Sequence, residues 1–105
     1  MRAEMLSQQQ SLPVGVDRTS REPISLEQAL AAPERLAPIA EMTLAERSAM
    51  VRARWAAGEW TDLDVCGESV DADRAVRELE ARTPLGMLLL ELGEGAVEMV
   101  LEDAR

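Results

Sequence analysis

The clearest hydrophobic pattern in the chain runs over residues 84–103. Apolar residues recur there at steps of three and four, which is typical of one face of an α-helix. Thr83 and Pro84 suit the N-cap and the first helical position, so we predict that this helix begins at Pro84. Its apolar arc covers more than half of the circumference, and we expect neighbours on most sides. The positions predicted to lie in a core or an interface are Leu85, Leu89, Leu92, Ala96 and Val100.

Three glycines modify this predicted helix. Gly86 and Gly93 are seven residues apart on its apolar side, a spacing that would admit the close approach of another helix. Gly93 and Gly95 also lower helix stability, by roughly 1 kcal/mol each relative to alanine. We therefore expect a bend or a break near residues 93–95.

A second amphipathic helix is predicted at about residues 44–57. Thr43 and Glu46 have the spacing of a capping box, and Gly58 stands where a helix-terminating glycine belongs. Arginines flank its apolar stripe and predict a small, solvated basic face. Arg47 and Arg54 lie on one side of the stripe and Arg52 on the other, and the stripe itself consists of Leu44, Ser48, Val51 and Trp55.

Two shorter helices are predicted from their caps. Residues 25–28 have the same capping-box spacing, and the two prolines in residues 33–38 then divide the chain into short turns, because proline lacks a backbone N–H. Asp71, or alternatively Ser69, is positioned to cap a helix at about residues 72–82.

Residues 60–66 alternate between apolar and polar side chains, with Leu63 and Val65 on one side, which predicts a half-buried strand. Gly67 marks a turn directly after it. A single strand leaves its backbone groups unpaired, so it needs a partner strand. The candidate partners are residues 12–16, a return strand at Ser69–Val70, and a second subunit.

Residues 1–24 mix Ser, Gln, Pro and Gly with scattered apolar residues and have no helical period. We interpret them as a flexible tail, with a short strand at Leu12–Val16 as the alternative. Residues 25–105 are predicted to form a small helical domain. The predicted fold class is therefore mainly α, with one short strand or hairpin near residues 60–70 and a flexible N-terminal tail.

Charge is distributed unevenly along the 105 residues. The chain carries 11 arginines and 20 acidic residues, a net charge of −9, and the excess of acid falls entirely within residues 59–105. Such an acidic half is expected to repel nucleic acids and anionic membranes, whereas it would attract a basic partner. Keeping a small helical protein soluble is the simpler explanation of this charge.

The side chains present argue against catalysis. The sequence contains no His and no Lys, so neither is available to activate Cys66 as a nucleophile. We expect a protein that is not an enzyme and that has no cofactor and no metal site. Since it has a single cysteine, no recognisable targeting segment and no long apolar run, the expected location is the cytoplasm.

Residues 62–73 show an EF-hand-like pattern, which makes calcium binding an alternative for this segment. Acids occupy the first, third and twelfth positions, and Gly67 occupies the sixth. However, Cys66 replaces an oxygen ligand at the fifth position, and Asp73 is shorter than the glutamate that the twelfth position prefers. A strand, a turn and a helix cap explain the same residues.

The sequence favours a small interaction or regulatory protein that acts through apolar helix surfaces and self-associates as a homodimer. Its partner is expected to be a protein, without direct contact to nucleic acid or membrane. The alternative is an acidic mimic of nucleic acid that inhibits a nucleic-acid-binding protein, suggested by regularly spaced glutamates on the last helix. Those glutamates are Glu91, Glu94, Glu98 and Glu102, and the predicted interface residues are Trp55, Trp60, Leu85, Leu89, Leu92, Ala96 and Val100.

Overall fold

A computed structural model describes residues 11–58, 62–65 and 67–104 of the chain. It confirms the mainly α fold class and adds a second hairpin, so that four α-helices accompany two antiparallel hairpins within this part of the chain. Short 3-10 turns lie at Pro33–Arg35 and Ile39–Glu41, in the segment where the prolines predict short turns. In chain order the elements are β1 (Pro13–Val16), β2 (Pro23–Ser25), α1 (Leu26–Ala31), α2 (Leu44–Ala56), β3 (Asp62–Val65), β4 (Glu68–Asp71), α3 (Ala72–Ala81) and α4 (Pro84–Asp103).

The capping boxes predicted for α1 and α2 are confirmed. The hydroxyls of Ser25 and Thr43 each accept the backbone N–H of the third helical residue. The side chains of those third residues, Gln28 and Glu46, accept the N–H of the cap in return. Both bonds satisfy backbone donors that have no partner inside the helix, which fixes where the helix begins.

The third and fourth helices pack against each other and are joined by a tight connection. The side chains of Asp71 and Thr83 accept N–H groups at the starts of α3 and α4, as predicted. Arg82 reverses the chain between them in the left-handed region, at a φ of 54°. Gly86 then lies against α3, where an added Cβ would stand 2.1 Å from the carbonyl oxygen of Glu78. The close approach predicted at Gly86 is confirmed.

Both hairpins and the helices share one hydrophobic core. α2 packs against β1, α3 and α4. The last helix runs uninterrupted through Gly93 and Gly95, so the break expected there is absent. No helix in the described residues is both long and apolar enough to cross a membrane. The largest fully buried apolar side chains are Val14, Leu26, Val51, Trp55, Val70, Leu89 and Val97.

The first hairpin corrects the flexible tail expected at residues 1–24. Val14, Val16 and Ile24 are buried in the core, and β1 pairs with β2 in an antiparallel arrangement. The flexible tail is wrong for the segment that contains the two strands, and the alternative of a short strand at Leu12–Val16 agrees with β1. The apolar side chains of this segment are covered by residues distant in the sequence. The first ten residues of the expected tail lie outside the described residues.

The turn of this hairpin is organised by Asp17. Its carboxylate accepts the backbone N–H groups of Thr19 and Ser20 at 2.8 and 3.0 Å, and it also accepts a bond from Nε of Arg35 at 2.8 Å. The bond from Ser20, followed by those from Thr19 and Arg35, lowers the pKa of Asp17 below its ordinary value. The carboxylate therefore stays ionised in more acidic solution than an ordinary aspartate does, and its bonds hold the turn closed.

The second hairpin is the one predicted near residues 60–70. Of the three partners considered for its first strand, the return strand is the one that pairs, and Leu63 lies opposite Val70. Gly67 makes the turn at a φ of 82°, a conformation that favours glycine. Val65 and Val70 are buried, so the alternating pattern predicted the buried side of the strand.

The solvated basic face expected on α2 is wrong. Arg54 is fully buried, and its Nη1 donates to the carbonyl oxygen of Pro13 at 2.9 Å. Arg47 and Arg52 form ion pairs with acids of α4 and α3 at 3.2 and 3.1 Å. The three arginines therefore connect α2 to its neighbours, because α2 lies at the centre of the domain and each flank meets another element.

Candidate interaction surface on α4

An apolar groove runs along the outer face of α4. The almost fully buried side chains of Trp55 and Leu89 form its floor, and Leu63 of β3 contributes at the side. The groove is open to solvent and encloses about 560 Å³. We call it the α4 groove. Its lining residues are Trp55, Leu63, Leu89, Glu91, Leu92, Gly95, Ala96 and Met99.

Two large apolar side chains of the groove are exposed. Leu92 is 47% exposed and Met99 is 66% exposed. The two residues are seven positions apart, so they lie on the same side of α4, two turns from each other. Single exposed apolar residues are common on protein surfaces, but two aligned over an apolar floor form a patch that a partner can cover.

Gly95 leaves the backbone of α4 accessible between these two side chains. A Cβ added to Gly95 would meet nothing within 4 Å. No contact within the described chain therefore requires a glycine at this position. The absence of a side chain lets another molecule approach the helix backbone closely in the middle of the groove.

A row of acids on α4 begins at the edge of the groove with Glu91. Glu91, Glu98 and Glu102 are exposed, and their steps of seven and four residues place them on one face of α4. Glu94 was expected in the same row, but it forms an ion pair with Arg47 at 3.2 Å, and only 16% of its side chain is exposed. The acidic ridge therefore consists of three glutamates, Glu91, Glu98 and Glu102.

The acidic ridge separates two apolar depressions. Glu91 lines the α4 groove, whereas Glu98 and Glu102 line a second groove that β1, α1 and the end of α4 enclose. In the second groove Leu30 is 43% exposed. Its wall also contains Arg18, which forms a long ion pair with Glu41 at 3.7 Å. The α4 groove has no such cation among its described lining residues.

The structure separates the seven predicted interface residues by exposure. The exposed and half-buried residues lie on the outer side of α4, while the buried ones belong to the core of the chain itself. Leu92 is exposed, Leu85 and Ala96 are half-buried, Trp55, Leu89 and Val100 are buried, and Trp60 lies outside the described residues.

Met99, Gly95 and Leu63 belong to the groove but are absent from the predicted set. Met99 has a signal in the sequence, since it follows Leu92 by seven residues on the same helix face. Leu63 has none, because its place depends on how the second hairpin packs against α2 and α4. Spacing within one helix identifies a face, but only the tertiary arrangement shows which part of that face remains uncovered.

Within the EF-hand-like segment 62–73, the described residues form β3, the turn at Gly67, β4 and the start of α3. The carboxylate of Asp71 accepts the backbone N–H of Arg74 at 2.8 Å, and Glu68 forms an ion pair with Arg74 at 3.0 Å. Among the residues that the structure describes, no cluster of three or more Cys, Asp or Glu side chains has a geometry that could hold a metal ion. Cys66 lies outside the described residues.

Comparison of the chain with known proteins gives no match. No protein-family model fits it, and neither the curated proteins nor the solved structures contain a significant relative. The α4 groove and the charges around it are therefore the features on which a function is proposed.

Proposed function

We propose that this chain is a small, non-enzymatic interaction protein that binds a protein partner through the α4 groove. The observation that carries the proposal is the pair of exposed side chains, Leu92 and Met99, over an apolar floor. Covering each of these two partly exposed side chains would contribute on the order of 1–2 kcal/mol to binding. Contiguous apolar surface of this kind is typical of protein contact sites.

The lining of the groove favours binding over chemistry. Glu91 is the only titratable side chain among the described residues that line it. Acid–base and nucleophilic catalysis both need a base held within hydrogen-bond reach of the group that it activates. The described lining supplies no such pair, which supports an interaction role. We further propose that this role is regulatory and is carried out in the cytoplasm.

Nucleic-acid mimicry receives less support from the geometry. The three carboxylates of the acidic ridge are separated by about 6 and about 10 Å along the helix axis. The phosphates of one DNA strand follow each other every 3.4 Å or so along the duplex axis. The ion pair between Glu94 and Arg47 removes the member that would have made the row regular.

A photo-crosslinking amino acid placed at residue 99 tests the proposed function. Met87 is the matched control position, because it is also an exposed methionine of α4 but does not line the groove. We expect the protein to crosslink to a defined partner from residue 99 and not from residue 87. Equal crosslinking from both positions, or none from residue 99, would count against the groove as the contact surface.

Self-association through the same surface is part of the sequence-based proposal and is measured separately. Sedimentation equilibrium of the purified chain gives its mass over a range of concentrations. The variant Met99→Gln is expected to remain folded, since the side chain is largely exposed, and to lower any self-association. Met87→Gln is the control and should leave the mass distribution unchanged.

A further inference from the structure

The charges around the α4 groove specify what its occupant must carry. Glu91 lines the groove, Glu98 and Glu102 continue the acidic ridge along the same side of α4 towards the second groove, and α4 contains no basic residue. Within the part of the chain that the structure describes, Glu91, Glu98 and Glu102 form no ion pair, whereas Glu94 on the same helix is paired with Arg47. An occupant with cations along this edge would gain attraction that the described chain does not already supply.

The end of α4 adds to the same field. Glu102 and Asp103 lie in its last turn, and that turn holds no basic residue. The carbonyl end of a helix carries partial negative charge, so acids there are unfavourable and a cation from elsewhere is favoured. Within the described helix, the acids of the last turn therefore have no basic residue of α4 beside them.

A second copy of the chain is a poor fit to this edge. If two α4 helices met face to face in an antiparallel, two-fold arrangement, their acidic ridges would lie on the same side and repel each other. In a parallel arrangement each ridge would meet the opposite wall of the other groove. Leu63 lies on that side, and no basic side chain occurs among the described lining residues. The net charge of −9 adds general repulsion between copies.

We propose that the occupant of the α4 groove is an amphipathic helix of another protein, with an apolar stripe flanked on one side by Lys or Arg. This inference rests on the proposed function, since it assumes that the groove is a docking surface. The apolar stripe would cover Leu92 and Met99, and its backbone would approach α4 at Gly95. The basic flank would lie along the acidic ridge, where charge also sets the orientation of the partner.

Three synthetic 18-residue peptides test the inference. They share one stripe of leucines at helical spacing and differ only in the flanking residues, which are Lys, Gln or Glu. Fluorescence anisotropy of the labelled peptides gives their affinities at low and high salt. We expect the Lys peptide to bind about five- to tenfold more tightly than the Gln peptide at low salt, the Glu peptide to bind most weakly, and salt to remove the difference.

Two triple variants separate the ridge from the overall charge. Neutralising the ridge with Glu91→Gln, Glu98→Gln and Glu102→Gln should remove most of the advantage of the Lys peptide. The control carries Glu22→Gln, Glu27→Gln and Glu34→Gln, three exposed acids outside the groove, and changes the net charge equally. It should keep the advantage.

The outcomes distinguish the two proposals. If the Lys and Gln peptides bind equally and Met99→Gln weakens both, the groove is a docking surface and the basic occupant is wrong. If no peptide binds, or if the chain dimerises through Met99 and excludes the peptides, the basic occupant is again wrong. The crosslink at residue 99 then decides the proposed function independently.

Discussion

Gly93 of α4 lies directly against Val51 of α2. A Cβ added to Gly93 would stand 2.6 Å from Cγ1 of Val51 and 2.8 Å from its Cγ2. Val51 is fully buried, and its branched side chain has little freedom to move aside. The hydrogen on Gly93 is therefore what allows the two helices to approach, and the close contact predicted for this glycine is confirmed with α2 as the neighbour.

The contact predicts that alanine substitutions at Gly93 and Gly95, two residues apart on α4, have opposite effects on the free energy of unfolding. Gly93→Ala should lower the free energy of unfolding by about 1–3 kcal/mol, because the new methyl group forces α2 and α4 apart. Gly95→Ala should raise it by up to about 1 kcal/mol, because nothing lies within 4 Å and alanine is the better helix former. Urea denaturation followed by circular dichroism measures both values. Destabilisation by Gly95→Ala, or none by Gly93→Ala, would contradict this arrangement of α4.

Local signals in the sequence predict the helices well. The caps at Ser25, Thr43 and Thr83 begin helices at the predicted residues because a capping bond depends only on residues within one turn. The hairpin around Gly67 is equally local. Each of these elements satisfies its own backbone groups, so its position follows from a short stretch of sequence.

The features that sequence reasoning missed depend on distant residues. Val14 and Val16 occur in a stretch without helical period, for which the sequence offers a short strand only as the alternative to a flexible tail, and their burial against α2 places them in the core. Arg54 sits among other arginines of an amphipathic helix, yet its buried position follows from the carbonyl of Pro13 some forty residues earlier. The candidate groove combines both kinds, since Leu92 is predictable from α4 alone and Leu63 is not.

Burial of the first hairpin predicts that Val14 contributes to stability. Val14→Ala removes two buried methyl groups and should lower the free energy of unfolding by about 1–2 kcal/mol. Thr19→Ala, in the exposed turn of the same hairpin, removes a side chain of similar shape and should change it by less than about 0.5 kcal/mol. Chemical denaturation compares the two. Equal small effects would indicate that the hairpin does not pack on the core.

Because the guanidinium of Arg54 is buried, we expect its loss to lower the free energy of unfolding more than the loss of Arg52, which is partly exposed. Arg54→Met removes the bond to Pro13 and should cost about 1–3 kcal/mol, because it leaves a polar group near the core without its donor. Arg52→Met, on the same helix, removes only a partly exposed ion pair with Glu80 and should cost less than about 1 kcal/mol.

Limited proteolysis reports the same difference locally. Since Arg54 holds the start of β1, its loss should loosen the hairpin and speed tryptic cleavage after Arg18 and Arg21. Arg52→Met should leave that cleavage rate near the wild-type value. Unchanged cleavage in both variants would show that the Arg54 bond does not hold the hairpin in place.

The ion pair between Arg21 and Glu46 predicts a dependence of stability on acid pH. The guanidinium donates to both carboxylate oxygens at 3.0 and 2.7 Å, and this pairing, with the N–H of Thr43, lowers the pKa of Glu46 from 4.5 to about 2. Because the folded pKa is the lower one, the stabilisation is complete above pH 4.5 or so and is lost as the pH falls towards 2.

Glu46→Gln keeps an acceptor for Thr43 but removes the charge, so its unfolding free energy should fall less steeply across that window. Arg21→Gln should flatten the profile similarly, and the double variant should add little, since both changes remove one interaction. Urea denaturation at a series of pH values measures the profiles, and a Glu46→Gln profile that coincides with wild type would rule out this ion pair as a source of acid sensitivity.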